Sequence, residues 1–324
     1  MDSRQQLIAR LADGQYHSGE ELGEALGVSR SAVWKQLQKL SEWGIELDSC
    51  RHRGYRIPGG LSLLDRVVVE SNLCPTTAAL IQLEIFQRVD STNDVAMQLA
   101  RECSPAGCLV LAEMQTAGKG RRGRTWVSPY GRNIYLSVVR RFSGGAGVVQ
   151  GLSLAVGVVV VQALKAFGVS GLSLKWPNDI LWQGKKLGGI LLEINGDPAG
   201  SFDVIVGLGI NVNMSAGEGE AIAQDWTTLV AITGASVDRS RLSADLASRL
   251  LRMLATFEVK GFASYRDAWQ ELDSSSGQTV VLTAGDVDIT GVAKGVTETG
   301  ALCVETEAGL LEFSGGEISL RVPQ

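Results

Sequence analysis

Histidine is almost missing from this chain. Only His17 and His52 occur in 324 residues, both inside the first sixty. A Ser-His-Asp triad or a histidine-ligated zinc site in the main body is therefore excluded. Chemistry beyond residue 60 has to rest on lysine, arginine, carboxylates, backbone donors or a borrowed metal ion. The five cysteines (Cys50, Cys74, Cys103, Cys108, Cys303) are odd in number and form no C-x-x-C pair. Reduced thiols packed as small hydrophobes are expected, in a cytoplasmic setting. Long apolar runs are lacking too. The most apolar stretch, Leu152 to Leu164, is about 13 residues and is interrupted by Gln162. A bilayer crossing needs roughly 20, so a buried helix or strand is expected there. The start, Met1-Asp2-Ser3-Arg4-Gln5-Gln6, has no apolar region after a basic residue, and neither a signal peptide nor a membrane partner is expected.

Acidic residues vanish from one stretch. The formal net charge is −5, yet residues 114–178 hold nine basic residues and no acid, whereas residues 179–324 hold ten basic and twenty acidic. The mild average argues against a uniformly basic nucleic-acid coat, but it hides a local site for anions. At roughly 100–200 residues per domain, two or three domains are expected.

The first sixty residues have the pattern of a DNA reader. Leu7, Ile8 and Leu11 form a helical stripe. Ser18 before Glu20 and Glu21 forms an N-cap with acids in the first turn, and Leu22 and Leu26 continue that helix. Ser29 caps a third helix with Val33, Leu37 and Leu40 inward. Gly23 and Gly27 are expected to let the helices cross closely. Outside the apolar stripe lie Ser29, Arg30, Ser31, Trp34 and Lys35, the donors that base edges and phosphates require. Segments 45–48 and 54–57 then flank Arg51, His52 and Arg53 as a β-hairpin wing with a basic tip. Pro58-Gly59-Gly60 breaks the pattern and marks a domain boundary.

Within the acid-free stretch, a strand at 108–112 leads into a glycine-rich loop, residues 118–126. Gly118-x-Gly120-x-x-Gly123 matches the letters of a dinucleotide fingerprint. That fingerprint needs a following helix and an acid about 20 residues on; here Pro129 and Gly131 make a turn, and no acid precedes Asp179. A Walker loop fails for the same lack of a helix. A third reading needs none: glycines let the backbone approach a polyanion while Lys119, Arg121, Arg122 and Arg124 supply charge. A solvated charge run in an exposed turn fits the composition as well. Further on, Lys175 precedes a proline turn, and a hairpin over 179–193 carries the glycine pair Gly188-Gly189. A strand at 204–213 has glycines at alternate positions. Residues 242–269 read as amphipathic helices with Leu246, Leu250, Met253 and Phe257 inward. From Gln278, short strands alternate with glycine turns, one at Gly285-Asp286, after a linker at 274–277.

Together these segments resemble the biotin–protein ligases. Asp90-Ser91-Thr92-Asn93, the loop 118–126, Lys175-Trp176-Pro177-Asn178-Asp179, Lys186-Leu187-Gly188-Gly189-Ile190 and Gly207-Leu208-Gly209-Ile210-Asn211 keep that family's order and spacing. The helix-turn-helix ahead of them, and the ending Gly315-Gly316-Glu317-Ile318-Ser319-Leu320-Arg321, resemble its bifunctional form, which also represses biotin operons. The resemblance implies an α+β chain: a winged helix-turn-helix over residues 1–60, a class II synthetase-like mixed-sheet catalytic domain over 61–272, and a small SH3-like β-barrel over 273–324. It implies activation of biotin with Mg-ATP to biotinyl-5′-adenylate, transfer to a lysine of biotin carboxyl carrier protein, and an adenylate-promoted homodimer on operator DNA. A biotin-sensing repressor with weak or lost ligase activity is the alternative. Ser91, Thr92, Asn93, Gln115, Lys119, Gly120, Arg121 and Lys175 would hold biotin, with Lys175 and Arg121 catalytic. Arg121, Arg122, Arg124, Asn178 and Trp226 would serve the nucleotide. No Mg²⁺ ligands are legible. Lys119 stands where the bifunctional form carries arginine, so the loop keeps the charge but loses the bidentate fork.

Overall fold

A computed structural model describes residues 3–79, 81–101, 107–197, 199–284, 287–315 and 318–321. Cys103, the Gly285-Asp286 turn and the Gly316-Glu317 pair lie outside the described residues.

Three helices, α1 (Ser3–Leu11), α2 (Gly19–Leu26) and α3 (Arg30–Ser41), open the chain. Their stripes meet in one core of Leu7, Ile8, Leu11, Leu22, Val33, Leu37 and Leu40. Burying each such side chain contributes about 1.5–3 kcal/mol, which a short bundle needs. Ser18 and Glu21 form a full capping box on α2, and Ser29 caps α3. The close-crossing role expected of the two glycines holds only for Gly23, where a Cβ would stand 2.8 Å from the Val28 carbonyl. Gly27 has open space and φ of 64° instead: it ends α2 in the left-handed region. The hairpin is shorter than its sequence pattern, β1 (Asp48–Cys50) against β2 (Gly54–Arg56), with Arg51-His52-Arg53 at its turn.

After α4 (Arg66–Asn72) and α5 (Pro75–Ala78), a seven-stranded sheet runs through β3 (Gln82–Phe86), β4 (Cys108–Ala112), β5 (Ile134–Phe142), β6 (Leu172–Lys175), β7 (Asp179–Trp182), β8 (Lys185–Gly196) and β9 (Phe202–Ile210). The strand order is β3-β4-β5-β9-β8-β7-β6. Only the β3–β4 pair is parallel, and helix α6 (Thr92–Leu99) lies in its crossover. Every residue of β4 is buried because both sheet faces are covered. Cys108 and Val110 pack with Ala96 of α6, whereas Leu109 and Leu111 face the larger core. That core holds α7 (Leu152–Ala166), the apolar run of the sequence, and the 22-residue α9 (Arg239–Lys260). Short helices α8 (Leu229–Thr233) and α10 (Arg266–Gln270) flank α9.

The chain ends in β10 (Thr279–Ala284), β11 (Val287–Val296), β12 (Leu302–Thr306), β13 (Gly309–Phe313) and β14 (Ile318–Arg321). These form an antiparallel sheet, β13-β12-β11-β10-β14, with β13 and β14 at its edges. The linker at 274–277 is held against β6 where it begins. Leu174 N donates to Leu272 O at 2.7 Å, Ser274 N donates to Leu174 O at 2.8 Å, and Ser275 is fully buried. The strap stops one residue short of Lys175.

Candidate ligand cleft

A cleft of about 940 Å³ opens at the ends of β6, β7 and β8. It brings together residues from five separated segments. Ser91, Thr92 and Asn93 come from the start of α6, Gln115 from the end of β4, and Lys119, Gly120, Arg121, Arg122 and Arg124 from the glycine loop. Lys175 and Asn178 come from the β6–β7 turn, and Trp226 from the segment beyond β9. All twelve ligand-site residues expected from sequence line it. Among the described residues, seven lining side chains are cationic (Lys119, Arg121, Arg122, Arg124, Lys175, Lys186, Arg321) and one, Asp179, is a carboxylate. The acid-free stretch thus serves the cleft with five of its nine cations. Elsewhere in that stretch, Arg132 pairs with Glu218 at 2.8 Å and Arg141 with Asp203 at 2.9 Å.

Local geometry explains each placement. Ser91 is both the N-cap of α6, its hydroxyl accepting from Asn93 N at 3.3 Å, and a lining residue. Thr92 N donates to Gln115 Oε1 at 2.8 Å, which fixes the Gln115 amide. In the loop, Gly120 N donates to Arg124 O and Trp126 N to Gly118 O, folding residues 118–126 into a tight turn. Arg122 takes φ of 59° there. Lys119 is paired with Asp94 on α6, and that hydrogen bond raises its pKa.

The Trp176–Pro177 peptide is cis. Trp176 is buried and donates Nε1–H to Gly300 O at 3.2 Å, so the C-terminal sheet backs the Lys175 turn. Asn178 donates to Ile190 O at 2.9 Å, leaving its Oδ1 to accept from Arg121 at 3.4 Å. Burial lowers the pKa of Lys175, as do the nearby charges of Lys186, Arg124 and Arg321; Asp179 opposes them. Burial also lowers Arg121, against the field of Asp179.

The glycines around the cleft allow close approach. A Cβ on Gly188 would stand 2.8 Å from the Gly209 carbonyl, and others make room for side chains of this protein. A Cβ on Gly209 would stand 2.5 Å from the Trp126 ring, and one on Gly189 3.3 Å from it. At Gly207 a Cβ would lie 2.3 Å from Asn93 Oδ1, and at Gly219 2.1 Å from the Trp226 ring. Glycine floors seat both tryptophans and the asparagine.

Residues 85–211 match the biotin/lipoate A/B protein ligase family, residues 3–56 an HTH domain, and residues 275–321 the biotin protein ligase C-terminal domain. The chain is 39% identical over 315 residues to the bifunctional ligase/repressor BirA of Salmonella typhimurium, spanning 97% of this chain and 96% of that one. It is 38% identical to the Escherichia coli protein of the same name, again over 97% and 96%. The chain belongs to the biotin protein ligase family. A solved biotin protein ligase from Aquifex aeolicus, in complex with biotin and ATP, matches it with a TM-score of 0.63 at 33% identity, covering 75% of this chain and 99% of that one.

Other residues of this ligase-family cleft carry no assignment from sequence alone. Lys186 reads there only as the start of a strand; the β7–β8 hairpin sets its Nζ 2.8 Å from Asp179, over the Trp126 ring at 5.6 Å. Leu320 and Arg321 reach the cleft from the C-terminal sheet, more than 100 residues from any other lining segment except the loop holding Trp226. No local pattern signals such a contact. Among the described residues, no group of three or more His, Cys, Asp or Glu side chains gathers as a metal site.

On the helix-turn-helix, Arg30, Ser31, Trp34 and Lys35 of α3 and Arg51 and Arg53 of the hairpin are exposed, as is Ser29. The Ser29 hydroxyl is already used, accepting from Ala32 N at 3.3 Å. Arg53 stacks over Tyr16 at 4.3 Å.

Proposed function

We propose that this chain joins biotin to ATP as biotinyl-5′-adenylate, releasing pyrophosphate, and then passes the biotinyl group to a lysine of biotin carboxyl carrier protein, releasing AMP. The observation that carries this reading is the cleft's chemistry. Hydroxyls and amides gather at Ser91, Thr92, Asn93 and Gln115, and among the described residues seven cations against one carboxylate line the same space. The ureido ring of biotin is neutral and is met by hydrogen-bonding groups. Attack of its carboxylate on the α-phosphate brings anion to anion, and pre-placed cations stabilise that charge. In this reading Ser91, Thr92, Asn93 and Gln115 hold the ring, with Lys119, Gly120 and Arg121 along the bound ligand. Lys175 meets the carboxylate and then the adenylate. Arg122, Arg124, Asn178 and Trp226 serve the nucleotide, Trp226 facing the adenine. Mg²⁺ would arrive on the phosphates, because Asp179 is held by Lys186. No protein nucleophile is needed, in keeping with a body that lacks histidine.

The exposed cations of α3 and the hairpin are read as the operator-binding surface, made a repressor by an adenylate-bound homodimer on a two-fold site. The proposed division is residues 1–60 for DNA, 61–272 for catalysis and 273–324 for an SH3-like unit backing the cleft. Biotin-dependent exchange of radiolabelled pyrophosphate into ATP tests the ligase. Exchange is expected; its absence in folded protein that still binds biotin would leave a biotin-sensing repressor.

A further inference from the structure

The nucleotide end of the cleft is carried by a mostly exposed segment. Ala221, Ile222, Ala223, Gln224 and Trp226 line the cleft, yet Ala221, Ala223 and Gln224 are exposed. The segment is fixed where it enters and where it leaves. Asn213 N donates to Arg132 O, Lys186 N to Asp225 O and Thr227 N to Lys186 O, each at 2.9 Å. Between those ends sits a nearly buried carboxylate, Glu218, whose side chain is 11% exposed.

Glu218 uses its two oxygens on different parts of the molecule. Its Oε2 accepts from Ser215 N at 2.8 Å, and Glu218 N donates to Ser215 Oγ at 3.3 Å, which closes a local turn. Its Oε1 accepts from Arg132 Nε at 2.8 Å. The next residue, Gly219, is the floor under the Trp226 ring, where a Cβ would stand 2.1 Å away. Ile222 N then donates to Gly219 O at 2.9 Å and leads into the lining run. Arg132 is held from its other side. Nη1 donates to Gly60 O at 2.6 Å and Nη2 to Pro58 O at 3.5 Å. Leu61 N donates to Ala12 O at 2.8 Å, so that boundary is itself fixed to the chain just after α1. A planar guanidinium with all three nitrogens engaged cannot swing without giving up several bonds together. Neither Arg132 nor Glu218 lines the cleft. We infer that Arg132 is a positioning residue for the nucleotide: acting through Glu218, it holds Gly219 and residues 221–224 around the Trp226 ring from an anchor at the domain joint. Ser91, Thr92, Asn93 and Gln115, placed by α6 and β4, do not depend on that anchor.

This inference rests on the biotin and ATP reading of the cleft. Its test uses the full-length protein and three variants: Arg132→Met, Glu218→Ala and the two combined. In pyrophosphate exchange, each single variant is expected to raise KM for ATP about tenfold with kcat near normal, the pattern of lost binding rather than lost chemistry. Biotin affinity by calorimetry is expected to stay within about twofold. The double variant loses no more than either single one, because both break the same link. Glu218→Ala leaves no unpaired carboxylate, and it keeps the test valid should Arg132→Met fold poorly. KM for ATP within about twofold of the unaltered protein in Glu218→Ala overturns the inference. So do losses that multiply in the double variant, or a fall in biotin affinity as large as the rise in KM for ATP, which would mark general loosening. If the unaltered protein catalyses no biotin-dependent exchange, it is the reading of the cleft that fails.

Discussion

Two regions of this molecule concentrate positive charge, and they do so in opposite ways. On α3 and the hairpin, Arg30, Lys35 and Arg51 stand exposed on elements held by an apolar core beneath them. In the cleft, Lys175 and Arg121 are half-buried, both have their pKa lowered by desolvation, and Lys186 is bound to Asp179. Exposed cations suit a large, hydrated polyanion that is read and released, and their effect is screened by salt. Cations withdrawn from water act more strongly on a small anion and hold their geometry as charge develops. The lesson is that a cation count says little until burial is known.

The sharpest way to break the comparison is at the joint between the regions. Arg239 is fully buried, donating to Glu113 Oε2 at 2.7 Å, to Ser62 O at 2.8 Å and to Asn133 O at 2.9 Å; Glu113 also accepts from Leu64 N at 2.6 Å. Arg239→Ala leaves Glu113 an uncompensated buried charge and is expected to cost about 3–5 kcal/mol of stability. A urea denaturation midpoint measures this, and both exchange and DNA binding should fall together. Next in size is Lys175→Ala, which is expected to slow pyrophosphate exchange by about 10²–10³ without changing that midpoint by more than about 0.5 kcal/mol.

Smaller is the loss at the exposed surface. Lys35→Ala should weaken operator binding roughly uniformly across sequences and reduce the salt slope by about one, with exchange unaffected. A change in exchange would dissolve the contrast between the regions. Smallest is a pH effect. Burial places the Lys175 pKa below 10.5, so its charge is lost at lower pH than that of an ordinary lysine. The rate of pyrophosphate exchange is therefore expected to decline on the alkaline side before pH 10.5 is reached, and Lys175→Arg should flatten that limb, since a guanidinium stays protonated. An alkaline limb unchanged in the arginine variant would assign it to another group.

The helices of the first sixty residues are legible because their caps and stripes are local. Ser18, Ser29, Leu22 and Leu37 each act within a turn or two of their own position. Lys175 and the 118–126 loop are legible as chemistry, since their glycines and charges are contiguous. The seat of Trp126 and the places of Ser137 and Arg321 are not. Each gains its place through strand pairing or packing with residues far along the chain, such as Ser137 opposite Gly207 across β5 and β9. The same holds at the joint: Tyr130 and Met114, which flank the basic loop, pack into the helix-turn-helix core, Tyr130 lying 5.5 Å from Trp43. No periodicity announces that contact.

By itself the sequence determined the local rules: where helices start, which residues point inward, and that one stretch of 65 residues would carry positive charge without acid. Only the tertiary structure decided which of those charges act together. It drew five of the nine into the cleft, sent Arg132 to Glu218 at the joint and Arg141 to Asp203, and added Lys186 and Arg321 from outside the stretch. The physical reason is range. Capping and side-chain periodicity act over a few residues, whereas burial, which decides how strongly a charge is felt, depends on every segment the fold lays over it.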